Sequence, residues 1–125
     1  MPVVYAGIVL YNPEISLLKK NIEAIRNQVT KVVLVDNGSN NYQDVQRLLN
    51  DYDNTYLISN GDNLGIAKAL NQIMEMSKED GAQWVLTLDQ DSVCPDGMVQ
   101  KYQVYTDDNI GMICPRLDIV GWNLE

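Results

Sequence analysis

Trp84-Val85-Leu86-Thr87-Leu88-Asp89-Gln90-Asp91-Ser92 is a short apolar run that stops abruptly in acids and an amide. Its first five residues show no strict alternation, so they read as a strand covered on both faces. Its end is turn chemistry. The same figure occurs three times upstream. Val3 to Leu10 runs into Tyr11-Asn12, Lys31 to Val35 into Asp36-Asn37-Gly38-Ser39, and Thr55 to Ser59 into the polar loop Asn60 to Gly65.

Helical periodicity fills the intervals. Ile15, Leu18, Ile22 and Ile25 share a face of a helix ending near Asn27, with Asn12 as its cap, Pro13 at its first position and Glu14 in its first turn. A second helix covers Tyr42 to Asn50, with Val45, Leu48 and Leu49 inward. A third covers Ile66 to Lys78, with Ile66, Ala69, Leu70 and Ile73 on one face. Beyond the acidic turn, Pro95 to Tyr105 reads as a short helix and Gly111 to Cys114 as a fifth strand. Pro115 to Glu125 shows no clear period. The expectation is an α/β chain, a mostly parallel sheet with helices on both faces. Ligands of such sheets bind beyond the carboxyl ends of the strands, and all the polar clusters sit there.

Composition narrows the chemistry. The net charge of −8 argues against a nucleic-acid partner, which needs a basic face. A phosphate ligand would need local help from a metal ion, backbone N–H groups or a single base. The chain has no histidine, which removes a His base or ligand. It has neither a P-loop nor a dinucleotide fingerprint. Cys94 and Cys114 are isolated and read as buried free thiols, in keeping with a reduced, cytoplasmic setting. No apolar run approaches the roughly 18 residues of a membrane span, and Met1 to Ala6 lacks the charged start of a signal peptide.

Within the clusters, Asp89 and Asp91 are one residue apart. If the strand persisted through them, both would point the same way. Like charges so placed repel unless they share a cation, and Mg²⁺ or Mn²⁺ bridged to a diphosphate suits carboxylate oxygens. The competing reading is a plain acidic turn. Asp36 offers acceptors for a ribose or a base; Asn37-Gly38 can equally be turn residues. Asn63 and Gly65 open a helix whose N-terminus favours phosphate, or Asn63 is simply its cap. Asn71 lies one or two turns in. Lys68 could neutralise phosphate or be a solvated surface charge.

Together these stretches resemble the inverting family 2 glycosyltransferases of GT-A fold, and within them bacterial rhamnosyltransferases that build cell-surface polysaccharide. The resemblance rests on Val9-Leu10-Tyr11-Asn12, on Val33 to Ser39, on Asn63-Leu64-Gly65-Ile66-Ala67 with Ala69 and Asn71, and on Trp84 to Ser92. It implies a Rossmann-like nucleotide-diphospho-sugar transferase fold and a dTDP- or UDP-linked sugar donor, first of all dTDP-rhamnose. A saccharide or lipid-linked acceptor would receive the sugar. The resemblance places Tyr11, Asp36, Asn37, Gly38, Asn63, Gly65, Lys68, Asn71 and Asp89 around the donor, and Asp91 with Asp89 at Mg²⁺ or Mn²⁺. Many relatives carry aspartate where this chain has Asn37, so base identity is less constrained here. The family's general base lies in a later half, and no acid of this chain stands in a matching context. Residues 1–125 are therefore expected to be the donor-binding portion of one domain without its acceptor half, inactive alone. The longer protein would be cytoplasmic or peripheral at the inner face of the membrane. A sugar-phosphate nucleotidyltransferase would want a Gly-rich loop where Tyr11-Asn12-Pro13 stands. A non-enzymatic α/β module is the other alternative.

Overall fold

The computed structural model describes residues 3–103 and 111–113. The elements run β1 (Val4–Leu10), α1 (Ile15–Ile25), β2 (Lys31–Asp36), α2 (Tyr42–Leu49), β3 (Thr55–Ser59), α3 (Ile66–Glu79), β4 (Trp84–Leu88), α4 (Met98–Gln103) and β5 (Gly111–Ile113). The strands form one sheet in the order β3-β2-β1-β4-β5, and every neighbouring pair is parallel. The expected α/β architecture is therefore present.

The side-chain alternation of the central strands builds two cores. Val4, Ala6, Ile8 and Leu10 of β1, with Val32, Leu34, Leu86 and Leu88, face Leu18, Ile22 and Ile25 of α1, Val45 and Leu49 of α2, and Met98 and Val99 of α4. Tyr5, Val33, Val35 and Val85 face Ala69 and Ile73 of α3. Gly7 falls on this second face. A methyl group there would overlap the Ile73 side chain, so glycine lets α3 lie close on β1.

Three local expectations need correction. Asn12 does not cap α1, whose N-cap residue is Glu14, with Pro13 before it. Asn12 instead adopts a left-handed φ of 46°, which asparagine tolerates, and turns its carboxamide to the next loop, where Oδ1 accepts the Asn40 N–H at 2.7 Å. α4 begins at Met98 rather than Pro95, because Gly97 at φ 75° cannot belong to a right-handed helix. Leu48 packs against the first core as expected, half-buried at its rim. Ile66 follows the apolar period of α3 yet is 61% exposed, one turn before Ala69, where it lines an open cleft rather than the core. Tyr105 and Cys114 lie outside the described residues.

Candidate functional site

The strand order reverses between β1 and β4, and there the ladder stops early. Ile8 pairs with Leu88 and the pairing goes no further, while β1 continues beside β2 through Leu10 and Asp36. A cleft of about 480 Å³ opens at this point. Val9 and Tyr11 line one wall, Thr87 to Asp91 another, and Ile66 and Leu70 of α3 the third.

The acidic segment is a turn, not a strand extension. The Ser92 N–H donates to the Asp89 carbonyl at 3.1 Å, so strand alternation does not align the two carboxylates. They reach one cleft by another route, and both are exposed in it. Two side chains that sequence reasoning passed over hold the turn. Asn21, fully buried on α1, donates from Nδ2 to the Asp89 carbonyl at 2.8 Å. Gln90 accepts the Tyr11 N–H at 2.9 Å and donates to the Tyr11 carbonyl at 3.1 Å. The signal for Asn21 was a polar residue on the apolar stripe of Leu18, Ile22 and Ile25. Gln90 had no local signal, since its partner is 79 residues away.

Asp36 ends β2 and is 1% exposed. Its Oδ2 accepts the N–H groups of Gly38 at 3.2 Å and Ser39 at 2.9 Å. Its Oδ1 is buried with no protein hydrogen-bond partner, a costly state for a carboxylate oxygen unless a ligand or water supplies the donor. Asn37 is also buried, and both ends of its carboxamide are used. Nδ2 donates to the Gly65 carbonyl at 3.2 Å, and Oδ1 accepts from Asn60 Nδ2 at 2.8 Å. Asn60 is paired reciprocally with Gln72 of α3. Asn37 thus ties the β2 loop to the start of α3. Gly38 brings the loops together more closely still: at φ 82°, its missing Cβ would stand 2.8 Å from the Asp62 Cα.

α3 begins without a side-chain cap. Asn63 does not cap it; its Oδ1 accepts the Gly65 N–H at 2.9 Å instead. Gly65 sits at φ 88° and ψ 162°, a region essentially reserved for glycine. The first-turn N–H groups and the positive end of the helix dipole therefore stand beside the cleft, next to Ile66. Lys68 and Asn71 are exposed on α3 and outside the cleft lining. Of the expected site residues, the cleft brings together Tyr11, Asp89 and Asp91. Asp36, Asn37, Gly38, Asn63 and Gly65 form the adjoining loop layer.

Tyr5 is pushed up to about 12 by burial, then by the hydrogen bond and charge of Asp80, at the amino end of β1. Burial also raises the Cys94 thiol, which fits a buried, inert cysteine.

Residues 5–124 match the sequence profile of glycosyl transferase family 2. The chain belongs to glycosyl transferase family 2. It is similar to the dTDP-rhamnosyl transferase RfbF of Shigella flexneri, 38% identical over 105 residues. That match covers 84% of this chain and 35% of the relative, so the chain spans about a third of the relative's length. The parallel sheet with helices on both faces agrees with the GT-A fold that the family resemblance implied.

Members of such families often use a divalent metal, and the donor set can be judged on its chemistry. Among the described residues no group of three or more His, Cys, Asp or Glu side chains could hold an ion. Among the described residues lining the cleft, Asp89 and Asp91 are the carboxylates. Two carboxylates completed by phosphate oxygens and water suit Mg²⁺ or Mn²⁺, so the residues fit an ion held jointly with a ligand and not a closed protein cage. No helix among the described residues is long and apolar enough to cross a membrane.

Proposed function

We propose that the chain is the donor-binding portion of a glycosyltransferase that transfers a sugar, foremost rhamnose from dTDP-rhamnose, to a polysaccharide or glycolipid acceptor with inversion. The cleft at the reversal point carries this reading, because it sets Asp89 and Asp91 opposite the N-terminal turn of α3 at the carboxyl edge of the sheet. The Shigella flexneri relative is a dTDP-rhamnosyl transferase, which supports the choice of dTDP over UDP.

Each residue then has a task. The unpartnered Oδ1 of Asp36 accepts a hydrogen bond from the nucleoside. Asn37 and Gly38 hold the loop that presents it, Asn37 acting through Gly65 and Asn60. Asn63 and Gly65 shape the start of α3, whose first-turn N–H groups receive diphosphate oxygens. Lys68, the third residue of that helix, brings a flexible positive charge to the same end. Asn71, exposed a turn further along α3, completes the donor contacts from that helix. Tyr11 walls the sugar side. Asp91, with Asp89, holds the Mg²⁺ or Mn²⁺. The ion, when bound, supplies Lewis-acid stabilisation of the leaving diphosphate. The base that takes the acceptor's proton is assigned to sequence outside these residues, so the chain alone binds donor and does not complete transfer. A cytoplasmic setting, with a longer protein peripheral at the inner membrane face, accords with the free buried Cys94.

The test is calorimetric titration of dTDP and UDP into the folded chain, with Mn²⁺ and again with EDTA. Metal-dependent binding that prefers dTDP and disappears in Asp91→Asn is expected. A folded sample that binds neither nucleotide under either condition would refute the reading.

A further inference from the structure

We infer that Gln90 is a positioning residue for the two carboxylates that flank it, an inference that rests on the donor-site reading above. Beyond the Ile8–Leu88 pair the β1–β4 ladder has ended, so Tyr11 has no backbone neighbour from β4. Gln90 fills that place with its side chain. A carboxamide carries a donor and an acceptor like a peptide group, and Gln90 uses both on Tyr11, accepting its N–H at 2.9 Å and donating to its carbonyl at 3.1 Å. One side chain thereby does the work of one more rung of the ladder, while the main chain of residues 89–91 stays free to turn.

The turn is fixed from the other side as well. The Asp89 carbonyl accepts both Asn21 Nδ2 at 2.8 Å and the Ser92 N–H at 3.1 Å. Tyr11 just past β1, Asn21 of α1 and Ser92 of the turn itself therefore converge on three atoms of an Asp-Gln-Asp segment. None of these hydrogen bonds uses a carboxylate oxygen, so the two acids gain a set position while their oxygens are left to an ion and a ligand. Asn21 is buried in a core and Gln90 lines the cleft, so the first supports the fold and the second chiefly the site. Loss of groups that orient metal-binding residues typically costs 10- to 100-fold in metal affinity.

The experiment compares Gln90→Ala and Gln90→Met with the unaltered chain and Asp91→Asn. Each is titrated with dTDP in Mn²⁺ and in EDTA, and each is melted. Both Gln90 variants should lose about tenfold or more of the affinity that Mn²⁺ adds, while binding in EDTA and the melting temperature hold. An undiminished Mn²⁺ increment in both variants, with Asp91→Asn abolishing it, overturns the inference and leaves the donor site standing. An equal loss with and without Mn²⁺, tracking a lower melting temperature, overturns it in favour of a purely structural role. If the unaltered chain binds dTDP with no Mn²⁺ increment, the metal role of Asp89 and Asp91 falls and takes this inference with it; if it binds no nucleotide with or without Mn²⁺, the donor-site reading falls too.

Discussion

Replacing Gly38 by alanine should damage both the fold and the donor site, and a second glycine shows by how much. Gly38 and Gly61 both have positive φ, 82° and 70°. Alanine at either position incurs the left-handed penalty of about 1–2 kcal/mol. At Gly61 a new methyl meets nothing within 4 Å, so the penalty stops there. At Gly38 it meets the Asp62 Cα, C and N at 2.8, 3.0 and 3.1 Å. All three are main-chain atoms and cannot rotate aside, so the 60–65 loop must shift. Overpacking of this kind costs about 1–3 kcal/mol more. Gly38→Ala should therefore lose about 3 kcal/mol and Gly61→Ala about 1 kcal/mol. Urea unfolding reads the difference as a midpoint lowered by roughly 1 M or more in the first and well under that in the second, at constant slope. Nucleotide affinity should fall with Gly38→Ala only, because the Gly38 N–H is one of the two donors holding Asp36 Oδ2. Equal midpoint shifts in the two variants would show that loop crowding is not what position 38 avoids.

Two further outcomes follow from side-chain pairing. Asn37→Asp removes the donor to the Gly65 carbonyl and places a carboxylate beside it, next to Asp36 in a buried layer; a loss of about 3 kcal/mol and weaker dTDP binding are expected from the same urea and calorimetric assays. Alkaline stability should report Tyr5. Its folded value is raised from 10.0 to about 12, so the fold favours the protonated phenol; that contribution is whole below pH 10 and is lost as pH rises through 12. Asp80 is held low by its hydrogen bond from Lys31 and then by that from Tyr5, so its share is present above the usual carboxylate range and is lost as pH falls below it. Tyr5→Phe should flatten the alkaline limb of stability against pH in urea titrations, and an unchanged limb would contradict the assignment.

Local periodicity was enough to place the strands, since apolar runs and the acidic or amide residues that end them depend only on neighbours in the chain. β3 spans Thr55–Ser59 and β4 Trp84–Leu88, the bounds read from the sequence. The polar clusters at one edge of a parallel sheet follow from the same pattern, because every strand in such a sheet points its carboxyl end the same way. Asp36, Asp89 and Asp91 therefore stand out on their strand-end positions alone.

What the tertiary structure decided is which of those residues meet. Asp89 and Asp91 share a cleft through a turn held by Asn21 and Gln90, not through strand alternation. Ile66 fits the apolar stripe of α3 and is exposed, because it lines the open cleft instead of the core. Asn37 is committed to Gly65 and Asn60, while the buried Asp36 keeps one oxygen without a protein partner. Hydrogen-bond partners 28 or 79 residues apart are chosen by strand order and register. The local sequence carries turn and strand preferences but no record of which loops the sheet will bring side by side.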